Sequence, residues 1–225
     1  MGWKEEWRLR PGQLLSEDEA RSRLDYCLQG CLSFERGWRR RVWTPPAIDL
    51  FFPITRFAGK RVLELGMGAG RISCLLAAVG AEVTGVEIAH TEAARAEARR
   101  WGCQSRARFV ATGGDYDRVP DGPYDVVVTK SMIGFSDLCR FDELLACIRD
   151  RLAPGGAGLF LENVNTPILH WVRRHLTYRD SQWNLHRFGL TRDQVARFAD
   201  VFGTVDARRY YGLVWTIRVA GVAPS

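Results

Sequence analysis

Lysine is scarce in this sequence. Lys4, Lys60 and Lys130 are the only lysines among 32 basic residues, and the rest are arginine. The formal charge of +6 therefore permits a nucleic acid or an anionic substrate but demands neither. Long apolar runs are also missing. Stretches such as Cys74–Val79 are core-sized, well short of the ~18 residues a membrane helix needs, so no membrane span is expected. The N-terminus, Met1-Gly2-Trp3-Lys4-Glu5-Glu6, lacks the apolar region of a secretory signal. Glu6 also stands where a myristoylation signal needs Ser or Thr. The six cysteines form no CxxC pair, and the four histidines fit no common zinc spacing, so no metal is expected. Cys27, Cys31, Cys74, Cys103, Cys139 and Cys147 read as reduced, mostly buried small hydrophobes, with a cytoplasmic location as the consequence.

What is present is an ordinary globular balance, 46% apolar and 26% charged residues over 225, enough for one well-buried core. Residues 1–59 read as an N-terminal helical extension or cap. Ser16-Glu17-Asp18-Glu19 is a capping-box start, and Leu24, Cys27, Leu28 and Cys31 follow at helical spacing. Pro45-Pro46 is expected to break the chain before the apolar segment Ile48–Phe52. From residue 60 the pattern alternates. Strands are expected at Arg61–Leu65, Glu82–Glu87, Ala107–Ala111, Tyr124–Thr129 and Ala157–Glu162, and helices at Arg71–Val79, Thr91–Trp101 and Phe141–Leu152. Pro154-Gly155-Gly156 stops the last of these helices. Such alternation predicts an α/β fold, a Rossmann-like doubly wound sheet with helices on both faces. A capped helix at Thr191–Phe202 and an antiparallel pair, Val205–Tyr211 and Leu213–Val219, close the chain.

The strongest motif is Val62-Leu63-Glu64-Leu65-Gly66-Met67-Gly68-Ala69-Gly70. A buried strand runs into alternate glycines and then a helix, where the backbone turns sharply and a ligand approaches closely. A dinucleotide fingerprint needs Gly at the position that Arg71 occupies. Glu64 would repel a pyrophosphate but suits an α-ammonium group beside a sulfonium. Glu87 ends the second strand roughly 20 residues beyond the glycine turn, where a carboxylate accepts hydrogen bonds from both ribose hydroxyls.

At these residues the sequence resembles class I S-adenosylmethionine-dependent methyltransferases. Glu64–Gly70 looks like that family's ELGxGxG motif, and Glu87 matches its ribose-binding acid. Gly114-Asp115-Tyr116 resembles the segment whose Asp meets the adenine; the alternative is a solvated turn acid near Asp117. Tyr124–Val128 matches the fourth-strand motif, and Leu152-Ala153-Pro154-Gly155-Gly156 the turn before the fifth strand. The resemblance implies a seven-stranded sheet with an antiparallel final hairpin, an enzyme using S-adenosylmethionine and releasing S-adenosylhomocysteine, and a cofactor site built from Glu64, Leu65, Gly66, Met67, Gly68, Gly70, Arg71, Glu87, Ile88, Gly114, Asp115, Tyr116 and Lys130. It further implies that residues 60–225 form the cofactor domain, with a substrate-cap insert at about 163–190. Thr129-Lys130-Ser131-Met132 stands where enzymes acting on exocyclic amines or amides often carry Asn/Asp-Pro-Pro-Tyr/Phe, which argues against that subgroup.

Candidate general bases are His170, His175 and His186, with Lys130 a weaker one. A lone histidine is more often a packed or solvated side chain, and the alternative for Lys130 is a helix cap or a surface residue. His90, at the start of a helix after Glu87, borders the cofactor or simply caps that helix. An Arg such as Arg173 or Arg187 would orient a carboxylate acceptor. Trp171, Tyr178, Trp183, Phe188, Trp38 and Trp43 suggest an aromatic lid, or ordinary packing. Arg36–Arg41 with Trp38 and Trp43 has the basic–aromatic mix seen where single-stranded RNA binds, or is a solvated helix face. The leading expectation is methyl transfer to O or N of a small-molecule substrate. The alternatives are an RNA methyltransferase, an NAD-linked oxidoreductase and a non-catalytic protein of the same fold. Oligomeric state is not readable.

Overall fold

A computed structural model describes residues 4–28, 36–134, 140–167, 171, 175 and 189–220, with the backbone alone for 36–41. Its centre is a seven-stranded sheet. The strands are β1 (Arg61–Leu65), β2 (Glu82–Glu87), β3 (Ala107–Ala111), β4 (Tyr124–Lys130), β5 (Leu152–Asn163), β6 (Val205–Tyr210) and β7 (Val214–Ala220). They lie in the order β3-β2-β1-β4-β5-β7-β6. The first five are parallel, and β7 runs antiparallel to both β5 and β6. Strand order reverses between β1 and β4, and at such a switch point the crevice outside the carboxyl ends of the strands is where open α/β sheets bind ligands.

Alternating side chains feed two apolar layers. Val62, Val126, Val128, Leu159 and Leu161 face α1 (Glu17–Cys27), α2 (Arg36–Phe51), α3 (Arg71–Ala78) and α4 (Glu92–Trp101). Leu63, Leu65, Val127, Phe160 and Ile217 face α5 (Phe141–Arg151) and α6 (Arg192–Phe202). Both expected capping boxes form, Ser16 with Glu19 and Thr191 with Gln194. Trp7, Leu24, Leu50 and Phe57 share one buried cluster with Leu75 of α3, so the N-terminal residues pack into the same core as the sheet.

Two expectations are corrected. Pro45 and Pro46 lie inside α2 rather than breaking it. An interior proline costs ~3 kcal/mol, but Val42, Trp43, Ala47, Leu50 and Phe51 are all buried, and α2 packs on β7 and β5. Tertiary burial outweighs the local preference. The helix α5 also ends one residue early. Leu152 is already extended, because it pairs with Tyr124 as the first residue of β5, ahead of a register shift.

Candidate active site

The turn after β1 hangs on β2, with the amides of Gly66 and Met67 donating to the Val86 carbonyl at 2.9 and 3.1 Å. Gly66, Gly68 and Gly70 all have positive φ, but the space around them differs. A Cβ on Gly70 would lie 2.7 Å from Ala94 Cβ, and one on Gly66 would lie 2.8 Å from Met132 Cβ. These two glycines serve packing. A Cβ on Gly68 would meet nothing within 4 Å, so its backbone faces open space. Its amide donates to Glu87 Oε2 at 2.8 Å, while Glu87 Oε1 accepts from Ile88 N at 2.8 Å. The Ile88 side chain is exposed at the same edge.

Leu65 and Met67 bring only backbone to this edge, because their side chains are buried in the two apolar layers. Glu64 points toward α3, where it is 1% exposed and accepts from the Ser73 hydroxyl. Burial pushes its carboxyl up to about 7, against the opposing pull of the Ser73 hydrogen bond and the positive charge of Lys130. Arg71, at the first position of α3, lays its guanidinium over the Tyr26 ring, 4.6 Å from the centroid. The Tyr26 hydroxyl donates to Glu97 at 2.6 Å, and burial together with this neighbour pushes its pKa up to about 12. α1 is thereby tied to the start of α3.

The segment after β3 lies against Glu87: Thr112 N donates to its carbonyl at 3.0 Å and Gly113 N to that of Ile88 at 2.7 Å. Gly114 and Asp115 are exposed here, and Asp115 accepts from Asp117 N at 3.0 Å. Tyr116 is half-buried, with the Arg140 guanidinium 5.5 Å from its ring.

Lys130 ends β4 on the Glu64 face, and Ser131 follows with a φ of 55°. On the opposite face Glu162 is fully buried at the end of β5. It accepts from Thr129 Oγ1 at 2.8 Å, Met132 N at 3.1 Å and Gly134 N at 3.3 Å. Burial pushes this carboxyl up, and those donors pull it back. Neither Glu162 nor Ser73 stood out as a site residue in the sequence. The available signal was inward phase: Glu162 stands two residues after buried Phe160, where an apolar residue is the rule.

Of the expected bases, Lys130 stands at the end of β4 on the Glu64 face, and no described contact brings a histidine there. His175 is exposed, its ring 5.3 Å from that of the exposed Trp171. His170 and His186 lie outside the described residues, as do Arg173, Tyr178, Trp183, Arg187 and Phe188. His90 is exposed beside Glu92. Trp43 is buried in the core, while the side chains of residues 36–41, Trp38 among them, lie outside the described residues. Cys27, Cys74, Cys103 and Cys147 are buried free thiols, while Cys31 and Cys139 lie outside the described residues. Among the described residues no helix is long and apolar enough to cross a membrane.

Comparison with known proteins now adds to this geometry. Residues 62–156 match the family described as a methyltransferase domain. No sequence among the curated proteins matches the chain. Among solved structures, an O-methyltransferase family protein from Burkholderia thailandensis superposes with a TM-score of 0.64 at 17% identity, over 93% of this chain and 61% of that one. This chain thus spans less than two thirds of that protein's length. The 1,6-didemethyltoxoflavin-N1-methyltransferase of the same organism, with S-adenosylhomocysteine bound, gives 0.59 at 18% identity, over 94% and 92% of the two chains. Magnesium protoporphyrin IX methyltransferase from Synechocystis PCC 6803, also with S-adenosylhomocysteine, gives 0.60 at 15%, over 89% and 93%. Residues 62–156 thus match a methyltransferase domain, and the seven-stranded sheet with its antiparallel final hairpin has the fold of these solved methyltransferases.

Proposed function

We propose that the chain transfers a methyl group from S-adenosylmethionine to an oxygen or nitrogen of a small-molecule acceptor. The observation that carries this reading is the open approach to Gly68 with the Glu87 carboxylate beside it at the switch point of the sheet. The residues fit the cofactor: Glu87 retains acceptor capacity for ribose hydroxyls, and Glu64 supplies a carboxylate on the ammonium side of the turn. Gly66, Gly68 and Gly70 shape the backbone, Ile88 and the Gly114–Tyr116 segment border the nucleoside, and Arg71 and Lys130 flank the turn. The bound cofactor supplies an already activated methyl on a sulfonium. The protein's part is to orient the acceptor and exclude water, which needs no catalytic triad. For a hydroxyl or amine acceptor, His170, His175, His186 or Lys130 would take the proton.

The small-molecule acceptor is supported by relatives of the same fold whose names specify such substrates, a toxoflavin precursor and a magnesium porphyrin. The test is transfer of labelled methyl from S-adenosylmethionine to a panel of hydroxylated and amino metabolites and, in parallel, to bulk tRNA. Labelled metabolite with unlabelled tRNA supports the reading. Labelled tRNA transfers the assignment to RNA methylation.

A further inference from the structure

The loop 131–134 joins three parts of the molecule. Ser131 N donates to Leu161 O at 2.8 Å, and Ser131 itself takes a left-handed conformation rare for a side-chain-bearing residue. The Met132 side chain lies against Gly66 of the glycine turn, close enough that a Cβ on Gly66 would collide with it. The Gly134 carbonyl accepts from Gly189 N at 3.0 Å, and a Cβ on Gly134 would lie 2.6 Å from Gly189 Cα. Gly189 is where segment 163–190 returns to the sheet; Leu190 N then donates to Asn163 O at 2.8 Å. All three relationships require the loop to hold one shape. The group that fixes that shape is Glu162, whose carboxylate accepts from Thr129, Met132 and Gly134 at once.

We propose that Glu162 is a positioning residue that keeps the glycine turn and the return of segment 163–190 in register with each other, acting through loop 131–134. Its effect on cofactor affinity rests on the methyltransferase reading above. A buried carboxylate is costly unless its lone pairs are filled, and here they are filled by the Thr129 hydroxyl and the backbone of one loop rather than by a cation. Replacing the carboxylate leaves buried amides without an acceptor, so the loop relaxes and Met132 leaves Gly66.

The test uses the full chain, S-adenosylhomocysteine calorimetry and amide hydrogen exchange. Glu162→Gln is expected to speed exchange at Met132, Gly134 and Gly189 by about tenfold or more while leaving Leu63 unchanged, and to weaken S-adenosylhomocysteine by about tenfold. Met132→Ala is expected to weaken it too, and the double variant to lose no more than the larger single loss, because both act on one contact. A merely structural role would give additive losses. Unchanged exchange at these amides, or additive losses, overturns the proposal. If the unaltered chain takes no S-adenosylhomocysteine, the methyltransferase reading falls, and exchange at Gly134 and Gly189 still decides whether Glu162 holds the junction. If Glu162→Gln does not fold, Thr129→Val should move the same amides by about threefold, and no change there also overturns it.

Discussion

The Gly68 amide and the Glu87 carboxylate are joined by a 2.8 Å hydrogen bond across the mouth of the crevice. One contact thus fixes both the open glycine of the turn and the acid at the end of β2. Replacing Glu87 by Ala releases the Gly68 amide and, on the proposed reading, removes the acceptor for two ribose hydroxyls. Each charge-assisted bond contributes ~1.5–3 kcal/mol, so affinity for S-adenosylhomocysteine should fall about a hundredfold or more. Calorimetry showing unchanged affinity would remove Glu87 from the site.

Gly68 and Gly70 should respond differently to a side chain. Gly68→Val has room for its atoms and strains only the left-handed backbone, by ~1–2 kcal/mol. It should fold, yet lose S-adenosylhomocysteine because the approach is blocked. Gly70→Val drives a side chain into Ala94 and should lower the melting temperature far more. Comparable melting curves for the two variants would contradict this division of roles.

Glu64 couples stability to pH. Its folded pKa, about 7, lies above the ordinary carboxylate value of 4.5. The folded state therefore holds the proton more tightly than the unfolded one. The resulting stability is complete below about pH 4.5 and is lost as pH rises to about 7, ~3 kcal/mol in all. Glu64→Gln should flatten this dependence and raise the urea midpoint at pH 8 and, if Glu64 partners the ammonium as proposed, weaken S-adenosylhomocysteine. A variant no more stable than the parent at pH 8 would show that Glu64 carries no burial penalty.

Tyr26 ties α1 to α4 through Glu97, which also accepts from Trp101 Nε1 at 2.9 Å and Arg100 at 3.1 Å. Tyr26→Phe removes one bond to a charged acceptor and should cost ~1.5–3 kcal/mol. Glu97→Ala removes the acceptor shared by two buried donors, Tyr26 and Trp101, and should cost more. Urea midpoints in the reverse order would contradict the arrangement.

Much of the sheet was legible because its strands are short, β-branched and bounded by glycine or proline, as with Val126-Val127-Val128 and the turn after Leu65. The capping boxes at Ser16 and Thr191 were legible because the interaction is local, three residues apart. Pro45-Pro46 misled, since what holds α2 together is burial against strands more than a hundred residues away in sequence. Glu162 was read only as the end of a strand, because its partners come from β4 and the loop that follows. The Glu64–Ser73 bond was hidden for the same reason, as it crosses from strand to helix. The acceptor side resisted reading because His170, His175 and His186 follow no periodic pattern.

The most direct measurement is calorimetric titration of the purified chain with S-adenosylhomocysteine and, separately, with NAD. The expected result is saturable, one-to-one binding of S-adenosylhomocysteine that Glu87→Ala weakens about a hundredfold or more, and no binding of NAD. Tight binding of NAD by a chain indifferent to S-adenosylhomocysteine would contradict it.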